Sequence, residues 1–486
     1  MGKLKKLAGD TIIYGLSTII GRLLNWLLMP FFIRTLDAEQ FGGVVNIYSY
    51  IAVVLVLLTF GFETGYFRFV KKDNRDKLLK TLGLTLTLGS VLFALLVYIF
   101  QGPITNALGN EYLIADFFVL GALIVSLDAI TSIPFADLRF RNQTLRYATL
   151  KFVSIILNIL FIILFLVVCP YLLKKGYTFI NYFYDENNRL IYVFLSNLLS
   201  SGIIACFLIP SIFKNVAAFD WSLLKIIGKY SYPIMLVGLF GMVIQNIDKI
   251  MMPHLISDNA MAALAVYGAN YKIGILMALF IQSYRLAFEP FFFKEGKNKA
   301  SKELYARILK FFVLFGLIIY VGVLLFIDVI NTLLTEDYYE GNVIIPFILL
   351  GQLFFGIYYS LSLWYKLTDK TNYGAIISCI GAITVVVGNV LLVPKIGYIG
   401  AAISSCICFF LMTVISYFLG QKYYPIKYPV IRIVMHIGIA LVLVHLSGLI
   451  AISNEIVNFA IKAIIFVSYI TFLYIVERKD LIKSLS

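Results

Sequence analysis

Residues 81–101, TLGLTLTLGSVLFALLVYIFQ, decide the fold class of this chain. The stretch carries no charged side chain, and at about 1.5 Å of rise per helical residue it covers the roughly 30 Å hydrocarbon core of a bilayer. A run this long without a charge is typical of a transmembrane helix and is too long for a buried strand. We therefore predict that residues 81–101 cross a membrane as a helix.

Similar apolar stretches follow one another along the whole chain. The 486 residues are 61% hydrophobic and only 14% charged, whereas about a quarter of the residues in a soluble domain are charged. An aqueous fold could not bury that much apolar surface, so lipid must surround much of it. The sequence predicts an all-α polytopic membrane protein of about fourteen transmembrane helices, at 11–33, 41–62, 81–101, 113–135, 148–170, 190–212, 231–252, 261–288, 309–328, 343–365, 374–393, 398–419, 430–450 and 456–476.

The basic residues indicate how the chain is oriented. The net charge is +14, and the 40 Lys and Arg residues are unevenly distributed. With the N-terminus placed inside, thirty of them lie in or beside inner segments, six in or beside outer segments, and four within spans. Because cytoplasmic loops of membrane proteins carry such an excess of positive charge, we expect both termini in the cytoplasm. The basic charge therefore reflects topology and does not indicate a nucleic-acid partner.

The connections between the spans leave little room for an enzyme. The longest outer connection is 171–189, and the sequence contains no phosphate-binding loop, zinc-ligand pattern or nucleophile elbow. His436 and His445 face opposite sides of one predicted helix, so they do not form a metal pair. We predict a transporter that is not an enzyme and has no metal site or cofactor, with a proton or a sodium ion as its coupling cation.

A weak internal repeat divides the chain. Met29-Pro30 is matched by Met252-Pro253, and Asn46 is matched by Asn270, at offsets of 223 and 224 residues. This distance equals six predicted spans, and many transporters are built from repeated halves. We predict an N-terminal six-helix lobe, a C-terminal six-helix lobe, and two additional helices with a cytoplasmic tail, over residues 1–213, 214–420 and 421–486.

Several motifs resemble those of bacterial polysaccharide flippases. The eighth predicted span contains VYGANYKI at 266–273 and continues to FEPFFFK at 288–294. The other motifs are FGFETGYFR at 60–68, YP at 232–233, NIDK at 246–249, KLTDKTN at 366–372, NVLLVPK at 389–395 and GYIGAA at 397–402. In this order they resemble O-antigen or capsule repeat-unit flippases of the multidrug/oligosaccharidyl-lipid/polysaccharide exporter superfamily.

This resemblance implies a function. Such a flippase has two lobes around a central cavity and works by alternating access in the bacterial cytoplasmic (inner) membrane. It would move an undecaprenyl-diphosphate-linked oligosaccharide from the inner to the outer leaflet for lipopolysaccharide or other surface polysaccharide biosynthesis. The expected partners are membrane lipid, this lipid-linked oligosaccharide and other polysaccharide-assembly proteins.

Cationic residues at membrane depth are the candidate substrate-binding groups. A charge near the bilayer centre costs about 2.5–3.5 kcal/mol, so it usually faces a cavity or a partner. Arg22 and Asn25 belong to one polar stripe of span 1, whereas Lys272 and Arg285 lie in span 8. We expect the three cations to hold the diphosphate in a cavity of low dielectric. They could instead pair with acids and fix helices together, and Glu289 lies one turn from Arg285.

The acids at membrane depth are candidates for ion coupling. Asp128 lies in span 4 and Asp248 in span 7, and a carboxylate in a medium of low dielectric is easily neutralised by a proton or a cation. Asp248 could equally pair with a neighbouring base. Glu63 and Arg68, at the inner end of span 2, are expected to form a structural contact.

Two amides in the predicted spans complete the set of candidates. Asn46 and Asn270 could line the cavity and bind sugar hydroxyls. Hydrogen bonds between helices explain buried amides equally well.

Three other functions share parts of this pattern. A lipid II flippase has the same architecture, and the sequence does not separate the two. A drug/cation antiporter of the same superfamily would need a cavity rich in acids and aromatic rings, whereas span 1 supplies Arg22. A membrane polysaccharide polymerase, from a different class, would need a larger loop to carry its site.

Overall fold

The computed structural model describes residues 20–21, 23–24, 26–108, 113–213, 218–295, 299–368, 370–450 and 454–485. These residues are almost entirely helical, which confirms the predicted all-α class. The chain forms two compact units, Met1–Gly268 and Ala269–Ser486. The predicted division into 1–213, 214–420 and 421–486 was based on an internal sequence repeat, whereas these two units are defined by their compactness. The predicted division stays a prediction.

The first unit consists of long helices joined by short turns. Helix α1 comprises the described residues of 20–35. It is followed by α2 (Ala38–Thr59), α3 (Phe62–Phe69), α4 (Arg75–Ile99), α5 (Gln101–Leu108), α6 (Ala115–Phe140), α7 (Thr144–Ile163) with a π-helical turn (Leu164–Val168), α8 (Cys169–Lys174), 3-10 turns at Thr178–Tyr182 and Glu186–Asn188, α9 (Arg189–Leu208), α10 (Pro210–Phe213) and α11 (Trp221–Leu255).

Helix α12 (Ala260–Ile273) carries the chain from the first unit into the second. The second unit continues with α13 (Ile275–Glu295), α14 (Lys299–Leu325), α15 (Ile327–Asn331), a 3-10 segment (Glu336–Ile344), α16 (Ile345–Leu361), α17 (Leu363–Leu367), α18 (Asn372–Ile396), α19 (Tyr398–Tyr423), α20 (Val430–Gly448) and α21 (Glu455–Leu485).

The helices match the predicted membrane spans. Among the described residues, twelve helices are long and apolar enough to cross a membrane, and α12 with the first part of α13, bent by 42°, passes the same test as a pair. The number of spans is thirteen if this pair is one broken span. Each of the twelve helices, and the bent pair, corresponds to one predicted span from 41–62 onwards. About half of the predicted first span, 11–33, lies outside the described residues.

Two carboxylates fix the starts of long helices. Asp37 accepts a hydrogen bond of 2.8 Å from the backbone N–H of Gln40 at the start of α2. Asp220 does the same for α11 through the N–H of Leu223, at 3.0 Å. The ammonium of Lys77, 2.7 Å away, donates to the Asp220 carboxylate and lowers its pKa. Both side chains satisfy N–H groups that have no partner within the helix.

A buried ionic network ties the ends of α3, α4 and α6 together. The Asp137 carboxylate is 3% exposed and accepts 2.6 and 2.7 Å bonds from the Arg75 guanidinium and a 2.8 Å bond from the Tyr66 hydroxyl. Apolar side chains pack around this network, namely Phe62, Leu78, Leu79, Leu82, Leu86, Ile133, Ala136 and Ile227. Because every bond of the carboxylate has a charged or buried donor, the network holds this end of the unit rigidly.

A second buried network lies in the other unit. Lys310 of α14 donates to Glu477 of α21, and His436 of α20 lies 3.1 Å from the same carboxylate. All three side chains are nearly inaccessible to solvent. Glu477 therefore holds both C-terminal helices to the rest of this unit.

Candidate functional site

A cavity of about 540 Å³ lies inside the first unit. Its wall is formed by α2, α3, α6, α7 and α9. Most of the side chains that line it are polar: Thr59, Glu63, Thr64, Asp128, Thr131, Ser132, Arg139, Tyr147, Lys151, Ser154, Asn197 and Ser201. Since the helices around it are apolar on their outer faces, the cavity offers a polar environment inside a membrane-embedded bundle.

Helical periodicity explains why these side chains meet. Residues three, four or seven positions apart lie on one face of a helix. Three helices present polar side chains to the cavity at this spacing: Asp128, Thr131 and Arg139 on α6, Tyr147, Lys151 and Ser154 on α7, and Asn197 and Ser201 on α9. These stripes are recognisable in the sequence, although only Asp128 was predicted as a site residue.

Lys151 is one of two cations that line the described part of the cavity, the other being Arg139. Its Nζ lies 4.1 Å from the ring centroid of Phe135, a distance at which an ammonium is attracted to the face of the ring. Its side chain is exposed to the cavity and forms no direct ion pair with a carboxylate of the described residues, although Asp128 and Glu63 are close enough to interact with it electrostatically. The ammonium is therefore positioned by an aromatic ring and can bind an anion.

Asp128 lies in the same cavity within a chain of neutral hydrogen bonds. Its Oδ1 accepts a 3.1 Å bond from Ser201, whose hydroxyl also lies 3.4 Å from the amide oxygen of Asn197. The Asn197 amide donates in turn to the Tyr48 hydroxyl at 2.9 Å. These contacts orient the carboxylate, and the Lys151 ammonium interacts with it electrostatically. The role of Asp128 in ion coupling stays a prediction.

An ion pair forms another part of the wall. Arg139 Nη2 lies 2.7 Å from Glu63 Oε1, and both side chains remain partly exposed. The Arg139 guanidinium also lies 4.7 Å from the ring centroid of Phe67. The predicted contact of Glu63 with Arg68 is wrong, because two residues five positions apart point to different faces of α3.

The structure leaves the predicted stripe of span 1 largely undescribed. Arg22 and Asn25 lie outside the described residues, so their predicted roles stay predictions. Gly21, next to them in sequence, is buried, and a Cβ built on it would lie 2.9 Å from Ile155. Since Ile155 lines the cavity, α1 packs against the α7 side of its wall.

Asp248 and Asn46 belong to a different network of the first unit. Asp248 is 1% exposed and accepts bonds from the Tyr267 hydroxyl and from the Lys249 ammonium, the latter at 3.1 Å. Asn46 donates at 2.8 Å to the backbone oxygen of Lys249. These contacts correspond to the pairing and interhelical bonding that the sequence allowed as alternatives to ion coupling and sugar binding.

Asn270, Lys272 and Arg285 lie in the second unit, on both sides of the bend at Gly274. The buried Asn270 amide donates to the Tyr338 carbonyl at 2.9 Å, and Lys272 is partly buried. The exposed Arg285 guanidinium lies 4.1 Å from the ring centroid of Tyr359. Broken helices of this kind often mark the binding sites of transporters. The roles of Lys272 and Arg285 in binding the diphosphate stay predictions.

The fold is that of known membrane transporters and flippases. One solved structure, of the lipid II flippase MurJ in an inward closed conformation, has a TM-score of 0.74 at 17% identity and covers 97% of this chain and 100% of its own. An inward-facing multidrug resistance transporter of the MATE family and the MOP superfamily has a TM-score of 0.64 at 12% identity, covering 85% and 97%. A mutant of the Vibrio cholerae MATE transporter VcmN has a TM-score of 0.54 at 15% identity, covering 87% and 98%.

Comparison of the sequence with known protein families identifies the family of this chain. A family described as polysaccharide biosynthesis protein matches residues 7–294, and a second family, MatE, matches residues 233–391. Comparison with curated protein sequences gives no match. The predicted membership of the multidrug/oligosaccharidyl-lipid/polysaccharide exporter superfamily is thus confirmed, without its O-antigen specificity. Since the first match covers more than half of its 486 residues, the chain belongs to the polysaccharide biosynthesis protein family.

Proposed function

We propose that this protein is a flippase that moves an undecaprenyl-diphosphate-linked oligosaccharide from the inner to the outer leaflet of the bacterial cytoplasmic membrane. The observation that carries the proposal is the cavity of the first unit, in which the Lys151 ammonium forms no direct ion pair with a carboxylate of the described residues, although Asp128 and Glu63 line the same cavity. The family description, polysaccharide biosynthesis protein, supports a sugar-containing substrate.

The cavity offers cations for the diphosphate and hydroxyl and amide groups for the sugars of such a headgroup. Lys151 and Arg139 would bind the diphosphate, and a low dielectric strengthens this attraction. Arg139 would exchange Glu63 for a phosphate oxygen when the substrate enters. Hydroxyl and amide groups along the same wall would bind the sugar hydroxyls: Thr59, Thr64, Thr131, Ser132, Ser154, Asn197 and Ser201.

Transport would proceed by alternating access. The headgroup would enter sideways from the inner leaflet while the prenyl chain stays in lipid, and the two lobes would then rock to expose it to the other side. Arg22, Lys272 and Arg285 are proposed as further contacts of the diphosphate. A proton or sodium ion bound at Asp128 would supply the coupling, with Asp248 as the second candidate.

One observation favours a second function, drug/cation antiport. The described wall contains two acids, Glu63 and Asp128, as well as two bases, Arg139 and Lys151. A cavity with balanced charge can bind a cation at Asp128 if Lys151 moves away. A lipid II flippase is the third possibility, because its substrate carries the same diphosphate on a different headgroup.

Reconstitution with defined substrates separates these functions. The purified protein is placed in liposomes with a fluorescent undecaprenyl-diphosphate-linked oligosaccharide, with fluorescent lipid II, or with an ethidium gradient. We expect rapid flipping of the oligosaccharide lipid, slower flipping of lipid II and no ethidium transport. Ethidium transport alone would contradict the proposal, and preferential flipping of lipid II would replace its substrate.

A further inference from the structure

A cluster of lysines surrounds two neighbouring tyrosine rings at the C-terminal end of α19. Lys370 Nζ lies 3.6 Å from the ring centroid of Tyr423, and Lys422 Nζ lies 5.6 Å from the same centroid. Lys302 Nζ lies 4.4 Å from the ring centroid of Tyr424. Three ammonium groups from separate segments of the second unit therefore meet on two adjacent side chains.

The rings of this cluster are held in place by the fold. Tyr423 stacks on Trp364 with 5.5 Å between ring centroids, and its hydroxyl lies 2.5 Å from the hydroxyl of Tyr373. Trp364 is 3% exposed and donates to the Ser416 hydroxyl at 3.4 Å. The Tyr423 ring is thus a preformed platform for the lysines, and its position does not depend on a ligand.

The cluster has an unbalanced charge. In the part of the chain that the structure describes, Lys302, Lys370 and Lys422 form no ion pair with a carboxylate. Lys302 donates to the Pro425 carbonyl at 3.1 Å, which leaves its charge in place. Two like charges on one ring repel each other, and the ring attracts each of them only modestly. An anion between the lysines would remove this repulsion.

The depth of the cluster restricts which anion can reach it. Helix α19 crosses the membrane over Tyr398–Tyr423, so Tyr423 marks its end and Tyr424 begins the connection to α20. Tyrosine and lysine at the end of a transmembrane helix lie at the level of the lipid headgroups. At that level the phosphates of membrane lipids are the most abundant anions, and basic residues near the surface bind them.

We infer that Lys302, Lys370 and Lys422, arranged on the rings of Tyr423 and Tyr424, form a binding site for the phosphate of an anionic phospholipid in the adjoining leaflet. The site shares no residue with the proposed substrate contacts. It would hold an annular lipid against the ends of α17, α18 and α19. Its ligand class is a membrane lipid with a net negative headgroup, such as phosphatidylglycerol.

The test compares lipid binding by two matched double variants. The full chain is purified in detergent, and bound phosphatidylglycerol and phosphatidylcholine are measured by native mass spectrometry. Lys370→Gln/Lys422→Gln removes two cluster charges, and Lys225→Gln/Lys229→Gln removes two exposed charges from α11. Because each lysine near a lipid surface contributes about 1 kcal/mol, we expect the cluster variant to bind phosphatidylglycerol about 30-fold more weakly, with the control close to wild type.

Three results would overturn the inference. Unchanged phosphatidylglycerol binding in the cluster variant would show that these lysines do not hold the lipid. An equal loss in the control variant would show only general attraction to positive charge. Competition by inorganic diphosphate at concentrations equal to those of phosphatidylglycerol would assign the cluster to a soluble phosphate.

Discussion

Asp137 is the residue on which one end of the first unit depends most. Its carboxylate receives two bonds from Arg75 and one from the fully buried Tyr66 hydroxyl. Removing it leaves both donors without their acceptor, and breaking a buried ionic contact usually costs about 3–5 kcal/mol. Because Arg75 is 24% exposed and water can reach it, we expect Asp137→Ala to cost about 2–3 kcal/mol. The measurement is thermal unfolding of the purified protein in detergent.

The second ion pair of Arg75, with Asp76, provides the control for this prediction. Arg75 Nη1 lies 2.6 Å from Asp76, whose side chain is 63% exposed. An ion pair in that position contributes at most about 1 kcal/mol. Asp76→Ala should therefore leave the melting temperature nearly unchanged. Equal losses in Asp76→Ala and Asp137→Ala would contradict the assignment of the stability to the buried network.

The individual site residues were harder to predict from the sequence than the helices. Asp128 was predicted as an intramembrane acid, whereas Lys151 was not predicted as a site residue. Helix α7 begins at Thr144 and not at residue 148, so Lys151 lies about two turns inside it. The partner of Glu63, Arg139, comes from another helix, and only tertiary packing determines such a pair.

Gly42 allows α2 to pack closely against α12. A Cβ built on Gly42 would lie 2.1 Å from the backbone oxygen of Met261 in α12. A backbone atom cannot move aside as the end of a flexible side chain can, so Gly42→Ala must push the two helices apart. We expect a loss of about 1–3 kcal/mol, measured as a lower melting temperature in detergent.

Gly121, buried in α6, provides the matched comparison. A Cβ there would lie 3.5 Å from the nearest side-chain atom, which is an ordinary contact distance. Alanine also favours the helix over glycine by about 1 kcal/mol. Gly121→Ala should thus melt at or slightly above the wild-type temperature. A destabilisation as large as that of Gly42→Ala would show that the helix spacing at Gly42 is not the cause.

At the scale of helices the sequence was a good guide. Apolar length alone located the twelve long helices and the bent pair, because crossing a bilayer requires a long uncharged helix. It did not reveal the 42° bend between α12 and α13. A Cβ on Gly274 would lie 2.6 Å from Ile348, so the chain at the bend packs closely against α16, which lies far away in sequence.

At the scale of the whole molecule, the fold and the family both indicate a membrane transporter or flippase. The identity of the substrate depends on the cavity of the first unit. The superfamily includes exporters of drugs and flippases of lipid-linked headgroups on one architecture, and architecture does not choose between them. The contents of the cavity do, because a diphosphate requires a cation where a cationic drug requires an acid. Lys151 is therefore the side chain with which to test the proposed function against antiport, because Arg139, the other base of the described wall, is paired with Glu63.

The most direct test is the rate at which Lys151→Gln flips a fluorescent undecaprenyl-diphosphate-linked oligosaccharide in proteoliposomes. A hydrogen bond to a charged group contributes about 1.5–3 kcal/mol, so we expect flipping about 10- to 100-fold slower than in wild type. Lys225→Gln, which removes an exposed lysine outside the cavity, should keep the wild-type rate. A wild-type rate in Lys151→Gln, with normal folding and reconstitution, would contradict the proposal that this cavity binds the diphosphate.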